Sequence, residues 1–467
     1  MIRSGAIHFT RSEERLFREL RASTRAPNPE IRQHALLKSM GRYAGPMPPA
    51  HIYCGDRHPP DRFKSGPMMR FNSGYWLALF TPGAKHHLID RASVMPKALP
   101  ISTSSINPRK NQKQALMEWG KRECRSGGVA IMPCGAGKSI FGILVICSAP
   151  TPALIVVPTR DLVRQWIETI HATTGVVAEE LKSFTSDNPR IAVTTAAYLQ
   201  KKRWEEVEAI GSKFGLVIFD ECHRLPARTL TRTASALPCR VRLGLTATPE
   251  RKDGLGNWVN YLLGPTFHVT HHGDVRDEGV TLTPTIERIS TGITPSGEEW
   301  TAWINSLAKN EARNQMILDL CERRTKLGGT VLVICSRVEQ AKLLAAQSGL
   351  AASIHGRMTP KQRRHTLSEV QSGRVRVLFA TTVADEGLDL PILDTLVLAA
   401  PCSTQSRVEQ RIGRILRDKE GKLDPWVFDL VDDHARIAST YRTRLRLYKK
   451  LDFKLHQPAL EDHHDRP

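Results

Sequence analysis

The residues best suited to chemistry lie in one glycine-rich segment, Met132-Pro-Cys-Gly-Ala-Gly-Lys-Ser139. It follows an apolar run that predicts a strand, and a helical pattern comes after it. Gly135 and Gly137 would let backbone N–H groups surround phosphate oxygens, while Lys138 reaches the outer phosphates. The segment therefore predicts a phosphate-binding loop in which the Ser139 hydroxyl ligates Mg²⁺. The strict form of this motif has glycine where the chain has Met132.

A second candidate is the acidic pair Asp220 and Glu221, which directly follows the apolar run 216–219. A strand that ends in two carboxylates can place one acid beside Mg²⁺ and the other beside an attacking water. We assign the first role to Asp220 and the second to Glu221. Acids also occur at strand ends without any function, but a phosphate-binding loop upstream favours the catalytic interpretation.

A third candidate is the arginine-rich segment Gln410-Arg-Ile-Gly-Arg-Ile-Leu-Arg417. If it is helical, Arg414 and Arg417 are three residues apart and share one face. Two guanidinium groups placed together can stabilise charge on a phosphoryl group during its transfer. The alternative is a solvated basic helix face, which would be preferred in a chain that lacked a phosphate-binding loop.

The elements that must position these residues alternate between apolar, strand-like runs and helical patterns. This alternation predicts parallel sheets that are covered by helices on both faces. It weakens over 271–300 and then resumes, so we expect two α/β domains in tandem. The predicted strands are 129–132, 153–157, 191–193, 216–219, 241–245, 331–335, 352–354, 375–380, 395–399 and 426–430.

Charge and length indicate the kind of partner. A chain of 467 residues should hold two or three domains. Its formal net charge of +20 favours a polyanion such as nucleic acid over a merely soluble basic protein. The excess is concentrated in 1–108 and in 436–454. The second stretch predicts a helix that packs back on the α/β domains, with these basic residues facing outward, toward nucleic acid: Arg442, Arg444, Arg446, Lys449 and Lys450.

Several protein classes are disfavoured by the sequence. No apolar run is long enough to span a membrane, and the N-terminus has no apolar segment typical of a secretory signal. The nine cysteines are scattered and form no Cys-x-x-Cys pair, which fits a reducing compartment. We therefore expect a cytoplasmic location, in association with the nucleoid, or in the host cytoplasm if a phage encodes the protein.

The ordered motifs resemble those of the superfamily-2 helicases, with an Asp-Glu-Cys-His box at Asp220. Within that superfamily the chain is most similar to the XPB-like and UvsW-like branch of phage and bacteria. It departs from XPB after Pro249, so only the motor is carried over from the resemblance. The segments that carry the resemblance are 133–139, 157–166, 194–198, 220–223, 246–251, 310–314, 354–357, 381–389 and 410–417.

The resemblance implies ATP as substrate and Mg²⁺ as cofactor, bound between two RecA-like domains. It implies that Arg109 and Gln112 contact adenine. It also implies that Gly387 and Asp389 of the second domain contribute to the nucleotide site. The predicted nucleotide-binding residues are Arg109, Gln112, Pro133, Cys134, Gly135, Ala136, Gly137, Lys138, Ser139, Gly387 and Asp389. The predicted metal ligands are Ser139 and Asp220. The predicted catalytic residues are Lys138, Asp220, Glu221, Gln410, Arg414 and Arg417.

DNA is the expected partner, held mainly through its phosphates, and protein partners in repair, recombination or restriction are compatible with the family. The predicted contacts are Thr159, Arg160, Thr195, Arg357 and Thr382. The expected organisation is a basic accessory domain at 1–104, RecA-like domains at 105–272 and 273–455, and a tail at 456–467. The fold class is thus α/β, with two tandem parallel sheets and a small N-terminal domain.

The sequence favours an ATP-dependent DNA helicase or translocase that moves on duplex or branched DNA in repair, recombination or replication. Three alternatives stay open. A restriction-system motor shares these motifs but would need a nuclease site, which a partner chain could supply. An RNA helicase is disfavoured by the Asp-Glu-Cys-His and Thr-Ala-Thr-Pro forms of two motifs. A non-catalytic DNA-binding scaffold is disfavoured because Lys138, Glu221 and Arg417 are intact.

Overall fold

A computed structural model describes most of residues 101–456 and only short strands before them. Among the predicted site residues, those outside the described part are Cys134, Thr382, Gly387 and Asp389. The gaps after residue 101 are 103–105, 121–126, 134, 150, 182–188, 226–227, 240, 248–255, 278–281, 382–389, 418–419 and 457–467.

In the N-terminal region the structure describes six short strands, and the assignment of this region as an accessory domain stays a prediction. Four of them form an antiparallel sheet in the order β1-β2-β6-β5, and β3 pairs with β4. The strands are β1 Ile2–Arg3, β2 Ala6–Phe9, β3 Ala26–Pro27, β4 His51–Ile52, β5 Gly55–Arg57 and β6 Met69–Asn72.

The rest of the described chain divides into two compact units at Thr270 and His271. In the first, seven parallel strands take the order β13-β7-β12-β11-β8-β10-β9. The five strands predicted from apolar runs are all present, and β9 and β13 are additional. The strands are β7 Gly127–Ile131, β8 Ala153–Val157, β9 Glu179–Glu180, β10 Ile191–Thr195, β11 Leu216–Asp220, β12 Val241–Thr246 and β13 Thr266–Val269.

Helices connect these strands as βαβ units, which is why the strands run parallel. Helix Arg160–Thr174 begins and ends with typical capping residues. Thr159 caps its first turn, and Gly175 ends it in the left-handed conformation. The helices of this unit are Lys110–Gly120, Lys138–Ser148, Arg160–Thr174, Ala196–Gln200, Trp204–Gly211, Arg228–Ala236 and Gly256–Leu263, with a 3₁₀ turn at Cys222–Arg224.

The second unit repeats the architecture with seven parallel strands in the order β16-β17-β15-β18-β19-β14-β20. Strand β14 lies in the segment where the predicted alternation weakens, and it pairs with β19 along its whole length. The strands are β14 Thr285–Ser290, β15 Val331–Ile334, β16 Ala351–Ile354, β17 Val377–Ala380, β18 Thr395–Leu398, β19 Trp426–Val431 and β20 Lys454–His456. The helices are His272–Asp277, Trp300–Lys309, Glu311–Thr325, Val338–Gln347, Pro360–Gln371, Gln405–Gly413 and Ala435–Lys450.

Both faces of the second sheet are covered, as the continuous apolar strands predict. Leu332 and Ile334 of β15 belong to the core on one face, whereas Val331 and Val333 belong to the core on the other. Successive strand residues point to opposite faces, so a strand buried on both sides must be apolar throughout. The predicted fold class, two tandem RecA-like α/β domains, is confirmed.

The basic C-terminal helix Ala435–Lys450 differs from its prediction at one residue. Arg444 was expected to face outward, but it is buried, and it donates two hydrogen bonds of 2.8 Å to the carboxylate of Asp429. Tyr448 donates a third to Asp429, also at 2.8 Å. Arg444 lies on the helix face that covers β19, and a guanidinium desolvated there needs this ionic partner. The neighbouring Arg442 and Arg446 are exposed.

Within the residues that the structure describes, no helix has both the length and the apolar composition that crossing a membrane requires.

Candidate nucleotide and nucleic-acid site

The predicted residues of the first unit gather at one edge of its sheet. Strands β8, β10, β11 and β12 run parallel, and the register pairs Thr195 with Val157 and Asp220 with Leu245. Their carboxyl ends therefore lie side by side, next to the loop that follows β7. Ligands bind at this edge in open α/β sheets.

The phosphate-binding loop adopts the conformation that its glycines allow. Gly135 and Gly137 have φ angles of 86° and 79°, in the left-handed region that residues with a Cβ rarely adopt. Gly137 precedes the helix Lys138–Ser148, whose N-terminus directs backbone N–H groups toward the loop. The Lys138 ammonium donates to the carbonyl oxygen of Met132 across 3.3 Å. Met132, the departure from the strict motif, is buried.

The predicted adenine-contacting residues lie against this loop. Gln112 donates from Nε2 to the carbonyl oxygen of Gly137 across 3.2 Å, and its Oε1 accepts from the backbone N–H of Arg109 at 3.0 Å. A Cβ built on Gly137 would lie 2.2 Å from Gln112 Nε2. The helix that begins at Lys110 is thus held directly to the loop.

The two carboxylates end β11 as predicted. Asp220 accepts one hydrogen bond from the Trp166 indole at 2.9 Å and one from the Glu221 backbone N–H at 3.0 Å. Glu221 has a φ of 51°, a left-handed conformation that is uncommon for a residue with a side chain. Its Oε2 lies 3.3 Å from Nδ1 of His223. Conformations of this kind cluster at functional sites.

Burial and the adjacent Glu221 carboxylate raise the pKa of Asp220 to about 6, against the opposing effects of Trp166 and Lys138. Burial also disfavours the charge on Glu221, but the nearby His223 and the charge of Lys138 outweigh it. The pKa of Glu221 is lowered to about 2. Lys138 therefore acts electrostatically on both carboxyl groups. Both pKa values lie below neutral pH, that of Glu221 by the wider margin.

Two contacts were not predicted from the sequence. His223 Nδ1 lies 3.1 Å from the Thr246 hydroxyl, which joins the acidic box to the end of β12. The Trp166 indole reaches Asp220 across 54 positions of sequence. Both residues stand in segments that carry the resemblance, but nothing in their local pattern indicates the partner.

A cavity of about 180 Å³ opens beside the carboxylates. It lies between the ends of β8, β10 and β11, and apolar side chains form most of its wall. Its polar lining residues are Gln200, Asp220, Glu221 and Arg224.

The predicted DNA contacts of this unit also lie at its carboxyl edge. The hydroxyl oxygens of Thr159 and Thr195 each cap a helix, accepting from Leu162 N at 3.4 Å and from Tyr198 N at 3.2 Å. Each hydroxyl hydrogen can still be donated to a phosphate. Arg160 is exposed on the first turn of its helix. The three residues therefore occupy positions that a bound strand can reach.

In the second unit, one geometric expectation was wrong. The helix that carries Gln410 ends at Gly413, so Arg414 is its C-cap and Arg417 lies beyond it. The two arginines do not share a helix face. The chain leaves the helix because Ile415 and Leu416 are buried, and the Leu416 carbonyl accepts a backbone hydrogen bond from Leu282 at 2.9 Å.

The segment after this helix is held by its own contacts. Lys422 donates to the carbonyl oxygens of Ile415 and Arg417 at 2.8 and 2.6 Å. Arg357, the predicted DNA contact of this unit, is exposed and pairs with Glu339 at 3.2 Å. An exposed pair of this kind is weak, so Arg357 can exchange Glu339 for a phosphate at small cost.

The residues present fit a magnesium nucleotide. The carboxylates of Asp220 and Glu221 and the hydroxyl of Ser139 are oxygen ligands of the kind that Mg²⁺ prefers. Gly135 and Gly137 hold the loop in left-handed backbone conformations that residues with a Cβ rarely adopt. One ammonium and a helix N-terminus favour negative charge at the same place.

Comparison with known families agrees with this site. Residues 105–251 match the family "Type III restriction enzyme, res subunit", and residues 312–419 match the "Helicase conserved C-terminal domain" family. The first match contains the phosphate-binding loop and the acidic pair. The second contains Gln410, Arg414 and Arg417.

Several curated proteins are similar to this chain. The "DNA 3'-5' helicase XPB" of Kineococcus radiotolerans is 29% identical over 62% of the chain and 54% of that protein. The "DNA 3'-5' translocase XPB2" of Sulfurisphaera tokodaii is 26% identical, covering 69% of the chain and 81% of that protein. The TFIIH XPB subunit of Antonospora locustae is 27% identical over 68% of the chain and 49% of that protein. The chain thus spans about half the length of two of these relatives.

Solved structures share the fold at low identity. Dbp5 of S. cerevisiae, bound to RNA and ADP BeF3, has a TM-score of 0.56 at 16% identity, covering 75% of the chain and 90% of that protein. Lhr of Mycobacterium smegmatis, bound to ssDNA and AMP-PNP, has a TM-score of 0.53 at 16% identity, over 76% of the chain and 49% of Lhr. The two family matches and the curated relatives support a superfamily-2 helicase of the XPB-like branch.

Proposed function

We propose that this protein is an ATP-dependent DNA translocase or helicase that couples ATP hydrolysis to movement on duplex or branched DNA. The observation that carries the proposal is the arrangement of Lys138, Asp220 and Glu221 at one sheet edge, where the ammonium acts on both carboxylates. DNA as the partner is supported by the net charge of +20 and by relatives named DNA helicase or translocase.

In this proposal each residue has a role that its surroundings permit. The loop N–H groups and Lys138 bind and orient the phosphates, and Gln112 positions the adenine end through the loop. Glu221, ionised at neutral pH, accepts a hydrogen bond from the attacking water and aligns it. Ser139 and Asp220 would hold Mg²⁺, which neutralises charge on the phosphate oxygens when it is bound.

The second unit would supply Gln410, Arg414 and Arg417, with Gly387 and Asp389, to the same nucleotide. Because neither unit alone has the complete set, loss of the transferred phosphate would weaken the attraction between them. Repeated closing and opening would then move two DNA-binding surfaces relative to each other. These surfaces would contact the phosphates of DNA through Thr159, Arg160, Thr195, Arg357 and Thr382.

The deciding experiment measures steady-state ATP turnover with single-stranded, duplex, forked and four-way DNA, and with RNA. We expect duplex or branched DNA to stimulate ATP turnover about tenfold or more, because DNA binding and ATP hydrolysis are coupled in a translocase. Stimulation by RNA alone would reject DNA as the partner, and no turnover with any ligand would reject the motor.

A second candidate function is the motor of a restriction system. It is favoured by the match of residues 105–251 to a restriction-enzyme subunit family. A fragment of an HsdR subunit from Vibrio vulnificus also shares the fold, with a TM-score of 0.55 at 18% identity over 71% of the chain and 65% of that fragment. ATP-dependent cleavage of plasmid DNA by the purified chain or its complex would favour this candidate. Turnover on uncleaved DNA would favour the translocase.

A further inference from the structure

Trp166 is a buried tryptophan whose indole contacts the carboxylate of Asp220. It lies in the helix Arg160–Thr174 and is 1% exposed. An indole N–H with so little access to water requires a protein acceptor. Its acceptor is Oδ2 of Asp220, at 2.9 Å.

The Asp220 carboxylate is consequently held at both oxygens. Oδ2 accepts from Trp166, and Oδ1 accepts from the backbone N–H of Glu221 at 3.0 Å. The two donors come from different elements, so they determine the orientation of the carboxylate plane and not only its position. Donors of this kind orient the groups that ligate metals, and their loss impairs metal binding or activity.

A third element secures the indole. A Cβ at Gly142, on the helix that follows the phosphate-binding loop, would lie 2.8 Å from Cη2 of Trp166 and 3.2 Å from Leu245. The glycine therefore leaves the space into which the indole packs. Trp166 thus connects the phosphate-binding helix, the acidic strand end and its own helix.

The helix of Trp166 begins at the predicted DNA contacts. Thr159 caps it, and Arg160 is exposed on its first turn. Trp166 follows within two helical turns, a distance over which a packed helix moves as a rigid body. A shift of the helix at DNA would displace the indole and, through it, the carboxylate.

We propose that Trp166 is a positioning residue that couples DNA contact at Thr159 and Arg160 to the orientation of Asp220. This inference rests on the proposed function. It goes beyond that function by naming the route through which DNA would stimulate turnover. A tryptophan that merely fills the core would not need a ligand-binding carboxylate as its hydrogen-bond acceptor.

The test compares three full-length variants by their Mg²⁺ requirement for ATP turnover, with and without duplex DNA. Trp166→Phe removes the N–H donor and keeps a ring. Gly142→Ala displaces the indole and keeps its donor. Trp119→Phe is the matched control, since Trp119 is another buried indole of the same unit and packs on Phe267 at a centroid distance of 5.3 Å.

For Trp166→Phe we expect the Mg²⁺ concentration at half-maximal turnover to rise about 10- to 100-fold. Stimulation by DNA should be largely lost, while the KM for ATP at saturating Mg²⁺ stays near that of the wild type. Gly142→Ala should change the Mg²⁺ requirement and the stimulation in the same direction, and Trp119→Phe should leave both unchanged. Quenching of tryptophan fluorescence by Mg²⁺–ADP should be smaller in Trp166→Phe than in the wild type.

Two outcomes separate this inference from the function on which it rests. Wild-type protein that DNA does not stimulate would overturn the proposed function. DNA-stimulated wild type, with an unchanged Mg²⁺ requirement and unchanged stimulation in Trp166→Phe, would overturn the role of Trp166 alone. If Trp166→Phe fails to fold, Gly142→Ala decides: unchanged Mg²⁺ dependence and stimulation there would reject the coupling.

Discussion

Gln112 donates a hydrogen bond from its side-chain amide to the carbonyl oxygen of Gly137 across 3.2 Å. The contact joins the first helix of the motor to the phosphate-binding loop, 25 positions away in sequence. Gly137 is the last loop residue before the helix, so the amide that is proposed to contact adenine also anchors the proposed phosphate-binding loop. Binding of the base and binding of the phosphates would thereby be linked through one amide.

Replacing Gln112 by Ala should raise the KM for ATP about tenfold, because the loop loses an anchor and adenine loses a hydrogen-bonding partner. The kcat should change less, since the catalytic carboxylates are untouched. Steady-state ATPase assays would measure both constants. Gln114→Ala in the same helix is the control, because Gln114 is exposed and its side-chain amide donates to Glu118 at 3.0 Å. An equal rise in KM for both variants would contradict this assignment.

Lys138→Ala and Arg417→Ala should each reduce ATP turnover by about three powers of ten, because each removes a positive charge from the proposed phosphoryl-transfer site. DNA binding should be retained, since neither residue is a proposed DNA contact. Turnover and fluorescence anisotropy with labelled duplex DNA would show this. Arg374→Ala controls for loss of a surface cation, since Arg374 is exposed and pairs with Glu369. Near-normal turnover in either active-site variant would remove that residue from the mechanism.

Arg444→Ala should lower the free energy of unfolding by about 3–5 kcal/mol, because it leaves Asp429 buried without its cation. Asp429 is 0% exposed, so water cannot replace the guanidinium. Chemical denaturation followed by circular dichroism would measure the change. Arg446→Ala, on the exposed face of the same helix, should cost less than about 0.5 kcal/mol. A stable Arg444→Ala protein with weakened DNA binding would instead support the outward orientation that composition suggested.

Affinity for duplex DNA should fall steeply with salt, by about three powers of ten between roughly 50 and 200 mM for six or more phosphate contacts. Arg160→Ala and Arg357→Ala should each reduce the slope of log K against log salt by about one. Titrations by anisotropy at several salt concentrations would test this. Arg374→Ala should leave the slope unchanged. A slope that neither arginine alters would exclude both from the DNA interface.

The sequence was most informative where function depends on neighbouring residues. Two such patterns are the loop from Pro133 to Ser139 and the pair Asp220–Glu221. Each follows a strand that is predicted by a run of apolar residues. Ten strands could be placed because strands buried on both faces must be apolar throughout. Strand β14 was missed because only Ile286 and Ile289 of its six residues are apolar and they lie three positions apart, not two, beside a segment rich in Gly and Pro.

The predictions that failed depend on contacts between distant residues. From its local sequence Arg444 is predicted to be a surface cation, but in the structure it forms a buried ion pair with Asp429. The helix that carries Gln410 is predicted to continue through Arg417, but it ends at Gly413, and Leu416 forms a backbone hydrogen bond with Leu282. In both places a tertiary partner changes the environment of a residue whose local pattern is ambiguous. Burial of a charge and termination of a helix are decided by such partners, not by propensity alone.

By itself, the sequence determined which residues could bind phosphate and which carboxylates could serve it, because these groups are adjacent in the chain. Only the tertiary structure decided how they are held: Gln112 against Gly137, His223 against Thr246, and Trp166 against Asp220. These partners lie 25, 23 and 54 positions apart. Their meeting depends on the order of parallel strands in the sheet, which no single segment of the sequence specifies.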